Sequence, residues 1–237
     1  MKSLVLRGFR IPAVAPAAAL AFVVGVGALY LALPRTVAAI LKLPGNPVLT
    51  RVQEQKPVDG LALETLVATR KQALIWAESG RDSAVMGLAQ LLLARGTDDA
   101  QGYDQALVTD AIGSLREGLA LGPASPHAWT RLAYADLVAN GPSARVASAL
   151  EMSLATAPFE PRLLRVRVEL CLWAWPYLSP EVRRLVDEQI RLAWQRTRPE
   201  LVVIARHTGR ENVVRAALSD DAAGRAEFER LLHQPRD

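Results

Sequence analysis

The sequence predicts an all-α protein, an N-terminal transmembrane helix followed by a solenoid of helical hairpins. Three observations predict it. The stretch Ala111 to Trp129 returns at Val146 to Leu164, with Leu115/Leu150, Leu119/Leu154, Ala120/Ala155, Pro123/Pro158 and Pro126/Pro161 in register at an offset of 35 residues. Self-similarity at that period, with leucines four apart and a proline closing each run, marks stacked helical hairpins. A run of 23 uncharged residues, Ile11 to Leu33, stands near the N-terminus. Beyond it Ala and Leu dominate and β-branched runs are short, which favours helix over sheet.

The chain has 237 residues, of which 51% are hydrophobic, enough for one membrane segment and one helical domain with a core. Net charge is +4, with 28 basic residues nearly balanced by 24 acidic ones, and no basic strip interleaved with aromatics suggests nucleic-acid binding. Cys171 is the single cysteine and sits in the apolar run Leu170-Cys171-Leu172-Trp173, where it reads as a small buried hydrophobe. One cysteine allows no internal disulfide, so cysteine usage leaves the compartment open.

In chain order, residues 1–10 carry Lys2, Arg7 and Arg10 ahead of the candidate span at residues 11–33. About 20 apolar residues cover the ~30 Å hydrocarbon core. A cleaved signal peptide would have a shorter apolar stretch and a small-x-small site, and Leu31-Ala32-Leu33-Pro34 is a poor one. The positive-inside rule then places the N-terminus in the cytoplasm and the rest outside, at an inner (plasma) membrane. Ala17, Ala21 and Gly25 form a small-residue stripe at four-residue spacing on which another membrane helix could pack. Residues 34–58 hold Pro44-Gly45-Asn46-Pro47 and Lys56-Pro57, breakers that predict a spacer, with Thr36 to Leu43 as a short amphipathic turn at the membrane surface.

The helical domain is expected over residues 59–237. Leu61, Leu63, Leu66, Val67, Leu74 and Ile75 predict a lead helix running to Trp76 and stopped by Gly80. Ser83 to Arg95 and Tyr103 to Leu121 form the first hairpin. The second pairs Pro126 to Asn140 with Ser143 to Ala157, where Pro142 suits the start of a helix. A third pairs Pro161 to Trp175 with Glu181 to Arg196, and shorter helices at Pro199 to His207, Arg210 to Leu218 and Ala222 to Leu232 close the stack.

The segment Pro126-x-Ala128-Trp129-x-x-Leu132-Ala133, followed by Ala149-Leu150-x-x-Ser153-Leu154-x-x-x-Pro158, resembles one tetratricopeptide repeat. The resemblance covers about Ser83 to Arg198, with one good repeat and two degenerate ones. It implies that Trp129, Leu132, Ala133, Leu150, Leu154 and Pro158 are the packing residues of the unit. Asp136 stands where the pattern usually has a tyrosine, and the unit is one residue longer than the usual 34. The third hairpin matches poorly, its terminal proline, Pro199, lying 41 residues beyond Pro158.

Catalytic signals are sparse. His127, His207 and His233 have no partner at metal-ligand spacing, and no phosphate loop or nucleophile elbow occurs. Asp98-Asp99-x-x-Gly102-x-Asp104 lacks the alternating oxygens and terminal glutamate of a calcium loop and reads as a solvated turn. No cofactor is expected. Arginines crowd the third hairpin instead: Arg162, Arg165, Arg167, Arg183, Arg184, Arg191, Arg196 and Arg198. They read either as a solvated surface or as an anion-binding concave face, with Trp173 and Trp175 as candidate aromatic anchors.

Two classes of function follow. One is a non-enzymatic, membrane-anchored scaffold that binds other proteins in a bacterial cell envelope. Proteins resembling this layout serve in cytochrome maturation, exopolysaccharide export and the chaperoning of exported chains. The other is an envelope enzyme, or a subunit that binds an anionic glycan or lipid headgroup through the arginine-rich hairpin.

Overall fold

The computed structural model describes residues 14–96 and 102–234. Among them every regular element is helical: α1 (Val14–Leu41), α2 (Asn46–Gln53), α3 (Gly60–Trp76), α4 (Gly80–Arg95), α5 (Gln105–Leu121), α6 (Pro126–Asn140), α7 (Ala144–Thr156), α8 (Leu164–Trp173), α9 (Pro180–Arg196), α10 (Arg198–Thr208), α11 (Glu211–Ala217) and α12 (Ala222–Leu232). One of them, at the N-terminal side, is long and apolar enough to cross a membrane. From Leu20 to Leu33 all its side chains are exposed. The Asp98-Asp99 part of the acidic loop lies outside the described residues, whereas Asp104 caps α5, accepting hydrogen bonds from the Ala106 and Leu107 amides at 2.9 and 3.2 Å.

Most of the spacer expected over residues 34–58 is helical, and residues 54–58, with Lys56-Pro57, are irregular. The helix passes through Pro34 and continues to Leu41. Proline withdraws one amide donor from the preceding turn. Beside it, the Arg35 guanidinium donates to the Leu31 carbonyl at 2.9 Å and the Thr36 hydroxyl to the Ala32 carbonyl at 3.0 Å. The last turns of α1 then pack on α3, with Ala38 buried. A 3-10 turn at Leu43–Gly45 follows. Gly45 lies against Leu66 and Thr69 so closely that a side chain there would overlap Thr69. α2 lays Val48 and Leu49 onto a small cluster of Leu66, Val85 and Ala89.

Charges complete this junction. The Lys42 ammonium meets the Asp82 carboxylate at 2.9 Å, and the buried Arg70 donates to Asn46 Oδ1 at 2.7 Å while lying 3.6 Å from the other Asp82 oxygen. Burial pushes the Arg70 pKa down and Asp82 opposes that shift. The Pro44-Gly45 breaker therefore bends the chain without freeing it, because the bend packs on Leu66 and Thr69. Arg70 also explains a misplaced face on α3. Its buried stripe is Leu63, Leu66, Arg70 and Ala73, whereas Leu61 and Ile75, expected on the apolar side, are 75% and 80% exposed.

The remaining helices pack in series around one core running from α4 to α12. α4 and α5 form the closest pair. A Cβ on Gly80 would lie 2.6 Å from the Gly118 carbonyl, and one on Gly87 would lie 2.7 Å from Leu115 Cγ, so glycine sets the helix separation. The buried Ser114 hydroxyl donates to Gln90 Oε1 across the same pair at 2.8 Å. α6 and α7 form the next hairpin, with Leu132, Ala133, Leu150 and Leu154 all buried. Full burial of a leucine contributes roughly 1.5–3 kcal/mol. Trp129 is half-buried against this core and donates its indole N–H to the Pro123 carbonyl at 2.7 Å, while Pro158 is exposed and its carbonyl accepts from Gln189 at 2.8 Å.

Candidate functional site

A groove of about 820 Å³ opens between α2, the first half of α4, the α5–α6 turn and α6. It continues as a depression of about 340 Å³ along α4, α6 and α8, lined by Leu88, Leu92, Tyr134 and Val166. The first helices of successive hairpins thus supply its floor, and α2 forms one wall.

The groove is electropositive. Arg81, Arg131 and Arg162 line it together with His127, and no acidic residue does among those described. Arg131 is half-buried, has no ion-pair partner among the described residues, and is pushed down to about 10 by burial. His127 is pushed down as well, first by burial and then by the Arg131 charge, which keeps its ring neutral at pH 7. The side chain of Ser125 caps α6, accepting from the Ala128 amide at 3.3 Å, so the positive end of a helix also faces this space. Tyr134 adds an aromatic wall whose hydroxyl hydrogen-bonds that of Tyr103; burial raises its pKa, and the bond to Tyr103 adds to the rise. A desolvated guanidinium without a carboxylate suits an incoming carboxylate or phosphate, which it can hold by two parallel bonds.

Of the arginines singled out in the sequence, only Arg162 reaches this groove. Arg165 is exposed and 3.7 Å from Glu200 of α10. Arg183 lies 5.4 Å over the Trp175 ring and donates to the Trp175 carbonyl at 3.1 Å. Arg184 meets Glu181 at 3.5 Å on the exposed face of α9. Arg191 donates to the Ala217 carbonyl at 3.3 Å, and Trp173 is half-buried edge-on to His207 at 5.5 Å. Apart from Arg183 stacked on Trp175, these side chains face different neighbours.

Arg167 is fully buried. Its Nε donates to Ser153 Oγ at 3.0 Å, Nη1 to the Ala157 carbonyl at 2.7 Å and Nη2 to the Ser153 carbonyl at 2.6 Å. Ser153 Oγ also meets Thr130 Oγ1 at 2.7 Å and donates to the Pro126 carbonyl at 3.0 Å. The guanidinium therefore caps the carbonyl end of α7, where the helix dipole is negative, and ties α6, α7 and α8 together. Burial lowers its pKa. Cys171, one turn on, is buried, and burial pushes its thiol up to about 12.

Sequence reasoning missed Arg81 and Arg131, which lie outside the third hairpin. The signal that could have found them is position: both sit on first helices of hairpins, Arg131 directly before Leu132. No group of three His, Cys, Asp or Glu able to hold a metal occurs among the described residues. No family model, curated protein or solved structure matches the chain.

Proposed function

We propose that the chain is a single-span membrane scaffold of a bacterial-type envelope, its N-terminus cytoplasmic and α3–α12 outside. It holds an acidic stretch of a partner protein in the groove between α2, α4 and α6. The serial hairpins are read as degenerate tetratricopeptide-like repeats, on the Trp129 to Pro158 pattern. Support for the anchor comes from the exposed apolar face of α1 and the basic residues Lys2, Arg7 and Arg10 ahead of it. The observation that carries the binding role is the groove itself, lined by three arginines and no acid among the described residues.

The test is photo-crosslinking in native membranes. A photoreactive residue at Leu92, on the groove wall, is expected to capture a partner, and one at Ala120, on the exposed side of α5, is not. Arg81 and Arg162 are exposed, so Arg81→Glu with Arg162→Glu leaves the fold intact and is expected to abolish the Leu92 adduct. Equal adducts from both positions, or a Leu92 adduct that survives the charge reversal, would overturn the reading.

A further inference from the structure

The helix turns of the domain gather into two ends, and one of them is the end at which α1 leaves. Gly80 lies against Gly118, Ser153 against the Pro126 carbonyl and Arg167 against the Ala157 carbonyl. The α3–α4, α5–α6 and α7–α8 turns are therefore neighbours.

The position of α1 follows from its contacts. Leu49 packs at Leu66 and Val85, Gly45 beside Leu66 and Thr69, Lys42 on Asp82, and Ala39 shares a depression with Ser79. Read backwards from Leu49, the chain climbs α3 from its middle to its C-terminal end. From Thr69 to Trp76, α3 rises about 10 Å at ~1.5 Å per residue, and the chain covers about the same height between Gly45 and roughly Ala38, the last turn of it in α1. Leu33, the last residue of the exposed apolar run, is about one further turn away.

That end carries exposed apolar side chains: Ile75 is 80% exposed, Trp76 50%, Leu121 53% and Phe159 74%. Leu121 adjoins Gly80, its Cβ 3.1 Å from where a Gly80 Cβ would stand. Solvated loops rarely concentrate such residues, whereas tryptophan is favoured at headgroup level and Trp, Phe and Leu faces insert at the headgroup–acyl boundary.

We infer that this end of the helical array rests on the lipid surface, with Ile75, Trp76, Leu121 and Phe159 entering the headgroup layer beside the point where α1 emerges. The inference rests on the anchor reading. The occupant is the bilayer, because α1 delivers this rim to it and the packed junction at Ala38, Lys42 and Gly45 leaves no slack to lift the rim away.

Full-length protein in phosphatidylcholine nanodiscs tests it. Cys171 is buried, so an environment-sensitive fluorophore can be placed at Ile75→Cys, Leu121→Cys, Asn140→Cys at the opposite end, or Leu29→Cys in the span. Labels at positions 75 and 121 are expected to emit at shorter wavelength than the label at 140 and to lose intensity to a quencher carried near the lipid carbonyls. Ile75→Asp with Trp76→Asp is expected to return the 121 label to the water-like emission of 140. Water-like emission at 75 and 121 while position 29 is quenched would overturn the docked rim and leave the anchor standing. Water-like emission at 29 as well would overturn both. Quenching at 121 that persists in the double-aspartate variant would show that the label rather than the rim finds the lipid, and would overturn the inference too.

Discussion

The α4–α5 hairpin and the junction of α6, α7 and α8 solve one problem, bringing helices into contact, by opposite means. The first removes side chains: Gly80, Gly87 and Gly118 let the backbones approach until carbonyl oxygens fill the space. The second inserts one of the largest side chains, Arg167, and satisfies all three arms of its guanidinium on Ser153 and Ala157. Shape complementarity tolerates neutral substitutions that keep volume, whereas a buried charge tolerates nothing that removes its acceptors. The contrast teaches that helices in one stack can be joined either by close backbone approach or by one buried polar side chain that fixes the joint.

The sharpest way to break the comparison is Arg167→Ala. It leaves the Ala157 carbonyl without its donor, takes one of three donors from the Ser153 carbonyl and opens a cavity, and we expect a loss of about 3–5 kcal/mol in urea unfolding. Arg167→Lys should recover little, because an ammonium cannot reach three acceptors in a fork. A loss below about 1 kcal/mol would mean that water replaces the side chain, and that the joint is not polar in origin.

A smaller effect is expected from Gly118→Ala, whose methyl would stand 2.8 Å from the Gly80 carbonyl and 3.0 Å from the Ala84 amide. Overpacking against backbone should cost about 1–3 kcal/mol in spite of alanine's better helix propensity. Gly113, on the same helix with nothing within 4 Å, supplies the control. Gly113→Ala should stabilise by about 0.4–1 kcal/mol, and equal melting shifts in both variants would refute the close-approach account.

The smallest effect tests a buried charge that is poorly compensated. Asp136 is buried, with Arg116 no nearer than 3.5 Å; burial raises its pKa, and Arg116 and Arg145 only partly oppose the rise. Its folded carboxyl therefore titrates above the unfolded one. Between those two values the folded state holds more protons, so this group's contribution to stability falls as pH rises through the window. Asp136→Asn should stabilise at neutral pH by up to ~1 kcal/mol, and the gain should vanish on acidification below the unfolded carboxylate range. A gain that persists in acid would assign the effect to packing.

Helix positions were legible in the sequence because periodic leucines and prolines carry them locally. Leu132, Leu150 and Leu154 fall in the core as their spacing predicts, and the closing helices α10 to α12 begin and end within a residue or two of their expected bounds. The misreadings share a cause. The segment from Pro34 to Gly45 looked like a linker, yet α3 offers the end of α1, at Ala38, and Gly45 packed partners, which no local pattern records. Arginines crowded along the sequence of α8 and α9 scatter in space, since neighbours on a helix point around its axis. The groove drew its charge from Arg81, Arg131 and Arg162, on three separate segments.

α2 has two attachments: it walls the groove through Leu49 and Val52, and it continues from α1 through a single tight turn. Between the exposed apolar run and the groove wall the chain is helical or packed at nearly every residue. The polypeptide is in effect a lever whose long arm is α1 and whose fulcrum is the Lys42–Asp82–Arg70 cluster. Nothing longer than the Lys42–Gly45 turn separates the long arm from the groove wall.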